Sequence, residues 1–170
     1  MDQTDAHSED YLKYSVRLGI SHLLLGNNSK ALEQFNSVIS QTNNDTLNIY
    51  RTHSINNIGK LYENQGRFKE SIAEYQKARL LYQFYKDSFM VDMTIMNQGV
   101  VEKKQGKYKK AILNLTLSAE GFIRRGDDYQ LSEVYTALGA IQERLGDNDK
   151  AMSFYRQSLE ICIERKDLYG

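Results

Sequence analysis

Glycine returns at a fixed step of 40 residues in two separate series, Gly19, Gly59, Gly99, Gly139 and Gly26, Gly66, Gly106, Gly146. Three more series keep the step and their character: Ala31, Ser71, Ala111, Ala151; Phe35, Tyr75, Leu115, Tyr155; and Val38, Ala78, Ser118, Ser158. Self-similarity at a period between about 20 and 50 residues marks a repeat architecture, in which one unit cannot bury its apolar face alone and must stack on the next. The stretch from Asn56 to Ala78 serves as the reference copy. Over 45–65 the apolar residues Ile55, Ile58, Leu61 and Tyr62 recur at helical spacing, and Gly66 stops the helix, because a helix end commonly needs a left-handed residue. A second helix follows from Phe68 to Tyr85, with Phe68, Ile72, Tyr75 and Ala78 on one stripe. Gly59 and Ser71, with almost no side chain, let another backbone close in. The spacing therefore predicts an all-α, right-handed superhelical solenoid of four helix-turn-helix hairpins.

Composition agrees. The chain has 170 residues, 41% hydrophobic and 26% charged, with no proline. An interior proline costs a helix about 3 kcal/mol, so its absence suits a chain that is nearly all helix. The net charge is zero, which gives no electrostatic footprint for nucleic acid. Cys162 is the single cysteine and excludes an intramolecular disulfide. No apolar run reaches the roughly 20 residues needed to span a bilayer, and the acidic start MDQTDAHSED is unlike a signal peptide, so a cytoplasmic location is expected.

In chain order, residues 1–8 read as a polar tail, with Ser8 as cap of the first helix. The repeats occupy about 9–44, 45–86, 87–126 and 127–166. Asp45 is expected to cap the second repeat after the polar break QTNND, and Asp87 with Ser88 the third. Asp87, Asp127 and Asp167 keep the 40-residue step, so 167–170 reads as the start of a truncated fifth repeat. Ile161, Cys162 and Ile163 then sit on a last helix with nothing to cover it, and a homodimer contact through that helix is the alternative. Tyr82, Phe84 and Tyr85 are expected in the core between repeats. Lys103, Lys104, Lys107, Lys109 and Lys110 cluster around the turn at Gly106, where they are expected to be solvated. His7, His22 and His53 fall in different elements without metal-ligand spacing, and there is no phosphate-binding glycine loop. No catalytic residue, metal or cofactor is therefore expected.

Ile55-x2-Ile58-Gly59-x2-Tyr62 followed by Ser71-x3-Tyr75 and Ala78 resembles the tetratricopeptide repeat, with its aromatic-x2-Leu-Gly-x2-Tyr and Ala-x3-Phe pattern. Tyr135-x2-Leu138-Gly139 with Ala151-x3-Tyr155 matches again, as does Leu18-Gly19 with Ala31-x3-Phe35. The third copy is looser, with Gln98 before Gly99 and Glu102 in place of the tyrosine. The period of 40 departs from the usual length of about 34, the extra residues falling between hairpins. Such a long variant is similar to bacterial peptide-pheromone receptors, kinesin light chains and polarity scaffolds.

The resemblance implies that the flank of each first helix opposite its packing stripe lines a concave groove holding a peptide or protein segment. In repeat two that flank is His53, Asn56, Asn57, Lys60 and Glu63, and in repeat three Met93, Met96, Asn97, Val100 and Lys103. Repeat one offers Lys13, Val16, Arg17, Ile20 and Leu23, and repeat four Glu133, Thr136, Ala140, Glu143 and Arg144. The peptide-binding candidates are His53, Asn56, Asn57, Lys60, Met93, Met96, Asn97, Val100, Thr136 and Arg144. Carboxamides such as Asn57 and Asn97 both donate to and accept from a peptide backbone, and Met93 with Met96 offer an adaptable apolar lining. The clamp by which tetratricopeptide co-chaperones grip acidic chaperone tails is not made. Its places hold Val16, Ile20, Asn57, Met93 and Asn97 in one register, and Asn56, Lys60, Asn97, Glu133 and Ala137 in the next. The expected function is a non-catalytic peptide- or protein-binding module, the ligand-sensing or interaction domain of a larger bacterial regulatory protein. The alternative is a passive scaffold that joins folded proteins through its outer surface or terminal helix.

Overall fold

The structure, a computed structural model, describes the backbone of residues 3–167 and the side chains of residues 9–165. Eight helices occupy those residues and pair into four hairpins, with no strand among them. They are α1 (Gln3–Leu24) with α2 (Asn28–Gln41), α3 (Ile49–Asn64) with α4 (Phe68–Phe84), α5 (Ser88–Lys104) with α6 (Tyr108–Arg125), and α7 (Asp128–Arg144) with α8 (Asn148–Asp167). This is the all-α solenoid class expected from the 40-residue step. The chain divides into two compact units, Met1–Tyr85 and Lys86–Gly170. The expected tail over 1–8 and the expected fifth-repeat start over 167–170 lie outside the described residues, apart from helical backbone at 3–8 and at 167. That backbone starts α1 at Gln3, so Ser8, expected to cap the first helix, lies inside it instead.

Helix ends follow local chemistry. At Gly66 φ is +73°, and the N–H groups of Gly66 and Arg67 donate back to the carbonyls of Glu63 and Tyr62 at 3.1 and 2.9 Å. That left-handed turn satisfies carbonyls the helix leaves open, at a conformation only glycine adopts without strain. The start of α3 departs from expectation. Asn48, rather than Asp45, is its cap, with Oδ1 accepting from the N–H groups of Tyr50 and Arg51 at 3.0 and 3.3 Å. Asp45 instead accepts from Asn48 Nδ2 at 3.2 Å and holds the cap in place. Replacing Asn48 by Ala is expected to cost about 1 kcal/mol in urea unfolding, and Asp45→Ala a few tenths.

The glycine and ring series meet inside each hairpin. A Cβ on Gly59 would sit 2.9 Å from the Tyr75 ring, and Gly99 stands in the same relation to Leu115 and Gly139 to Tyr155. The small residue therefore admits a side chain from 16 positions later, where the sequence suggested a neighbouring backbone. In the first unit the core joins Leu23, Ala31 and Phe35 to Ile58 and Leu61, with Leu12, Val16 and Val38 beside it. Val16 and Leu23, expected on an apolar groove, are core residues. In the second unit one cluster joins Leu115, Ala119 and Phe122 of α6 to Leu131, Val134 and Leu138 of α7. Tyr82 is fully buried as expected, but Phe84 points to solvent and touches Tyr85 edge-on with ring centroids 5.8 Å apart. Lys107, Lys109 and Lys110 are exposed at the α5–α6 turn.

Candidate binding surface of the first helices

On α3 the expected flank is largely tied up by its own neighbours. His53 Nδ1 lies 2.7 Å from the Tyr82 hydroxyl, and Asn57 Nδ2 donates to the His53 carbonyl one turn back at 2.8 Å. Lys60 bridges both carboxylate oxygens of Glu63 at 3.1 and 3.0 Å. Glu63 is itself buried and accepts from the Tyr75 hydroxyl at 3.1 Å. The Asn56 Oδ1 is buried without a protein partner. Arg67 lies over the Tyr62 ring, 4.2 Å from its centroid.

On α5 the two methionines separate. Met96 is buried in the core of the second unit, while Met93 and Val100 are half-buried and packed against it. Asn97 is partly exposed beside them. Helix geometry explains the loss of Met96: it stands one residue after Ile95, at the edge of the stripe that α5 buries.

A cavity of about 440 Å³ opens in the second unit. Val100 and Lys103 of α5 form one wall, Tyr129, Ser132, Glu133, Thr136 and Ala137 of α7 the floor, and Ser158, Cys162 and Arg165 of α8 the other wall. Thr136 Oγ1 donates to the Ser132 carbonyl at 2.9 Å and lies 2.9 Å from Ser158 Oγ, which reaches the same carbonyl at 2.9 Å. These hydroxyls pin α8 to α7 along one edge of the cavity. Arg165 stacks over the Tyr129 ring at 5.3 Å, with its guanidinium at the rim. The cavity thus combines apolar surface from Val100, Ala137 and the Tyr129 ring, hydroxyls that both donate and accept, and charges of both signs. Of the ten expected residues it gathers Val100 and Thr136. Arg144 is exposed at the end of α7 and does not line it.

The cavity residues that sequence reasoning missed are Tyr129, Ser132, Ala137, Ser158, Cys162 and Arg165. Tyr129, Glu133 and Thr136 do carry a signal, the i, i+4, i+7 spacing of one helix face. The α8 residues carry none, because their counterparts one repeat earlier, Ser118 and Phe122, are buried.

Two family models, both described as tetratricopeptide repeat, match residues 52–80 and 91–164, together more than half of the chain. The chain belongs to the tetratricopeptide repeat family. Tetratricopeptide folds are protein-interaction scaffolds, and protein or peptide partners follow from that membership. No curated protein matches the sequence. Among solved structures, the tetratricopeptide chain is similar to aspartyl phosphate phosphatase F from Bacillus subtilis, with TM-score 0.85 and 16% identity over 93% of this chain and 42% of that one. A Rap protein complexed with competence and sporulation factor gives 0.79 and 14% over 92% and 44%. BtubC (BKLC) from P. vanneervenii gives 0.78 and 18% over 91% and 64%. At these identities the likeness is one of fold, and this chain spans less than half the length of the first two. Among the described residues no helix is long and apolar enough to cross a membrane, and no three His, Cys, Asp or Glu side chains are placed to hold a metal ion.

Proposed function

We propose that this chain is a non-catalytic binding module whose α5–α7–α8 cavity takes a segment of a partner peptide or protein, and that it serves as the ligand-sensing or interaction domain of a larger bacterial regulatory protein in the cytoplasm. The cavity itself carries the reading. It is the place where three helices leave a concave space with polar groups aimed along its edge, the setting in which a helical or extended segment is held by apolar contact and positioned by a few hydrogen bonds. Val100 and Thr136 contact the segment. Met93 and Asn97 extend the surface along α5, and His53, Asn56, Asn57 and Lys60 offer a second, more polar surface on α3. The unpartnered Asn56 Oδ1 is an acceptor for a backbone N–H once its side chain turns outward. Likeness to a Rap protein solved with competence and sporulation factor supports a sensing role.

The test is selection of peptides from a random display library on the whole chain, followed by fluorescence anisotropy with the enriched peptides. Thr136→Arg with Cys162→Trp fills the cavity from two exposed positions and is expected to weaken binding at least tenfold. Asn57→Ala with Asn97→Ala is expected to weaken it about two- to fivefold. Enriched peptides that bind the filled variant as well as the wild type would sink the cavity reading and favour a scaffold working through other surfaces.

A further inference from the structure

We infer that the outer face of α6 docks an acidic amphipathic helix of a partner protein, with acids over the lysines at the start of α6 and an apolar stripe over Leu113 and Leu117. This surface is separate from the α5–α7–α8 cavity. It lies on an interior helix, packed on α5 before it and α7 after it, so both of its neighbours in the solenoid are present. Leu113 and Leu117 are nonetheless 68 and 45% exposed. They stand one turn apart and share a face, and Lys109 stands on the same face one turn before Leu113. Scattered surface leucines need no explanation, whereas two that adjoin each other and a basic cluster form a patch.

The other repeats do not carry it. At the place of Leu113 they have Glu33, Ala73 and Ser153, and at the place of Leu117 they have Ser37, Lys77 and Gln157. Solvent alone therefore selects small or polar residues at these two positions, and the third repeat departs from that twice on one face. The charges depart as well. In the second repeat Arg67 Nε bonds Glu70 Oε1 at 3.0 Å, and in the fourth Lys150 Nζ bonds Asp147 Oδ2 at 2.6 Å. The same two places in the third repeat hold Lys107 and Lys110, and Lys109 stands between them. Among the described residues these three lysines make no ion pair, and the first turn of α6 has no acid. Like charges three residues apart repel, and the helix dipole adds to the cost at this end. Local rules that hold in sister repeats and fail together in one mark a functional surface.

The chemistry selects the occupant. Carboxylates supply the charge that the lysines lack, and leucine-like residues at i, i+3 and i+4 supply the apolar contact, so both features sit on one helix of the partner. An anionic membrane fits less well. Two leucines are a small apolar face for insertion, and Glu120, one turn beyond Leu117, brings a negative charge to the same side of α6.

Fluorescence anisotropy on the intact chain tests this, with a labelled helical peptide of about 18 residues built from glutamates and a leucine stripe at i, i+3, i+4, i+7. The wild type is expected to bind it at low salt and to bind a scrambled peptide of equal composition at least about tenfold more weakly. Leu113→Ser with Leu117→Gln, the residues of the fourth repeat, is expected to weaken binding about tenfold or more. Lys109→Asp with Lys110→Glu is expected to weaken it similarly and to flatten its salt dependence. All four side chains are exposed, so helical circular dichroism should stay unchanged. Equal binding of striped and scrambled peptides, or by the leucine variant and the wild type, would reduce the effect to unspecific charge attraction and overturn the inference. Absence of binding at millimolar peptide overturns it too, and so does capture by phosphatidylglycerol vesicles in place of the peptide. The cavity-filled Thr136→Arg/Cys162→Trp chain is expected to bind the striped peptide as the wild type does. Loss there would place the peptide in the cavity instead, so the two sites fail separately.

Discussion

Replacing Tyr75 by alanine is expected to cost about 3–5 kcal/mol, the usual range for emptying a fully buried aromatic site, and to speed hydrogen exchange throughout α3 and α4. The ring has no exposure and closes directly over Gly59. Its hydroxyl donates to the buried Glu63 carboxylate, which the Lys60 ammonium also reaches. Tyr75→Phe keeps the ring and is expected to cost about 1–3 kcal/mol, since it leaves a buried charge one donor short. The same site predicts a pH dependence. Burial first, and then the adjacent Glu63 carboxylate, push the Tyr75 hydroxyl far above its ordinary value near 10. The folded chain therefore holds this proton more tightly than the unfolded chain does. Stability from this group is fully present below about pH 10 and falls above it, as tyrosine ionises in the unfolded state alone. Urea midpoints should hold level up to pH 9 and drop beyond pH 10, with a shallower drop in Tyr75→Phe. A drop of equal steepness in both proteins would show that the effect lies elsewhere.

The second large effect is expected at Gly121. A methyl group there would collide with the Asp92 carboxylate, which is buried and accepts from Arg125 Nη1 at 2.8 Å. Arg125 also reaches Asp127 at 2.7 Å and lies over the Phe89 and Phe122 rings, so Asp92 cannot move without loosening a charged cluster in the core of the second unit. Gly121→Ala is expected to cost about 2–3 kcal/mol, overpacking and a strained ion pair together, with Arg125 partly exposed and hence partly screened. The repeat suggests its own rescue. Where the third repeat has Asp92 and Gly121, the second has Thr52 and Leu81 and the fourth Ser132 and Ile161. A short hydroxyl residue stands with a large apolar one, and the carboxylate stands with glycine. Asp92→Thr in the Gly121→Ala background should recover about half the loss in a double-mutant cycle. Additive costs would sink the explanation.

These two sites also show what was legible in the sequence. The step of 40 placed Gly59 and Tyr75 on parallel series, and from it the eight helices and most of their ends followed, because helix punctuation is local chemistry. Gly121 belongs to no series. Its reason is a carboxylate 29 residues away, and only packing discloses it. The shift of the α3 cap from Asp45 to Asn48 has a similar origin, since both residues are good caps and the Arg51 guanidinium, bonded to the Ile39 carbonyl at 2.6 Å, helps settle where the turn ends. Phe84 follows the composition of a core residue and the geometry of an exposed one. The cavity was half legible. Thr136 and Val100 lie on the expected flank, whereas Ser158, Cys162 and Arg165 come from a second helix, whose equivalent face is covered one repeat earlier. Periodicity predicts what every copy shares, and a binding site is built from what one copy does differently.

Among the described residues, a helix within each unit touches its neighbours one or two places along the chain and no others, α1 reaching α2 and α3, and α7 reaching α5, α6 and α8. Every closure needed to build the core is then a short loop, and the entropy lost before the first favourable contact is small. Such a chain belongs with the fast folders, at about milliseconds or less, and can gain structure hairpin by hairpin as it leaves the ribosome, at about 5–20 residues per second. Each 40-residue step takes seconds to synthesise. Every hairpin therefore has time to close its own ring over its own glycine before the next one competes for it, which protects a sequence of four near-copies from pairing the wrong halves.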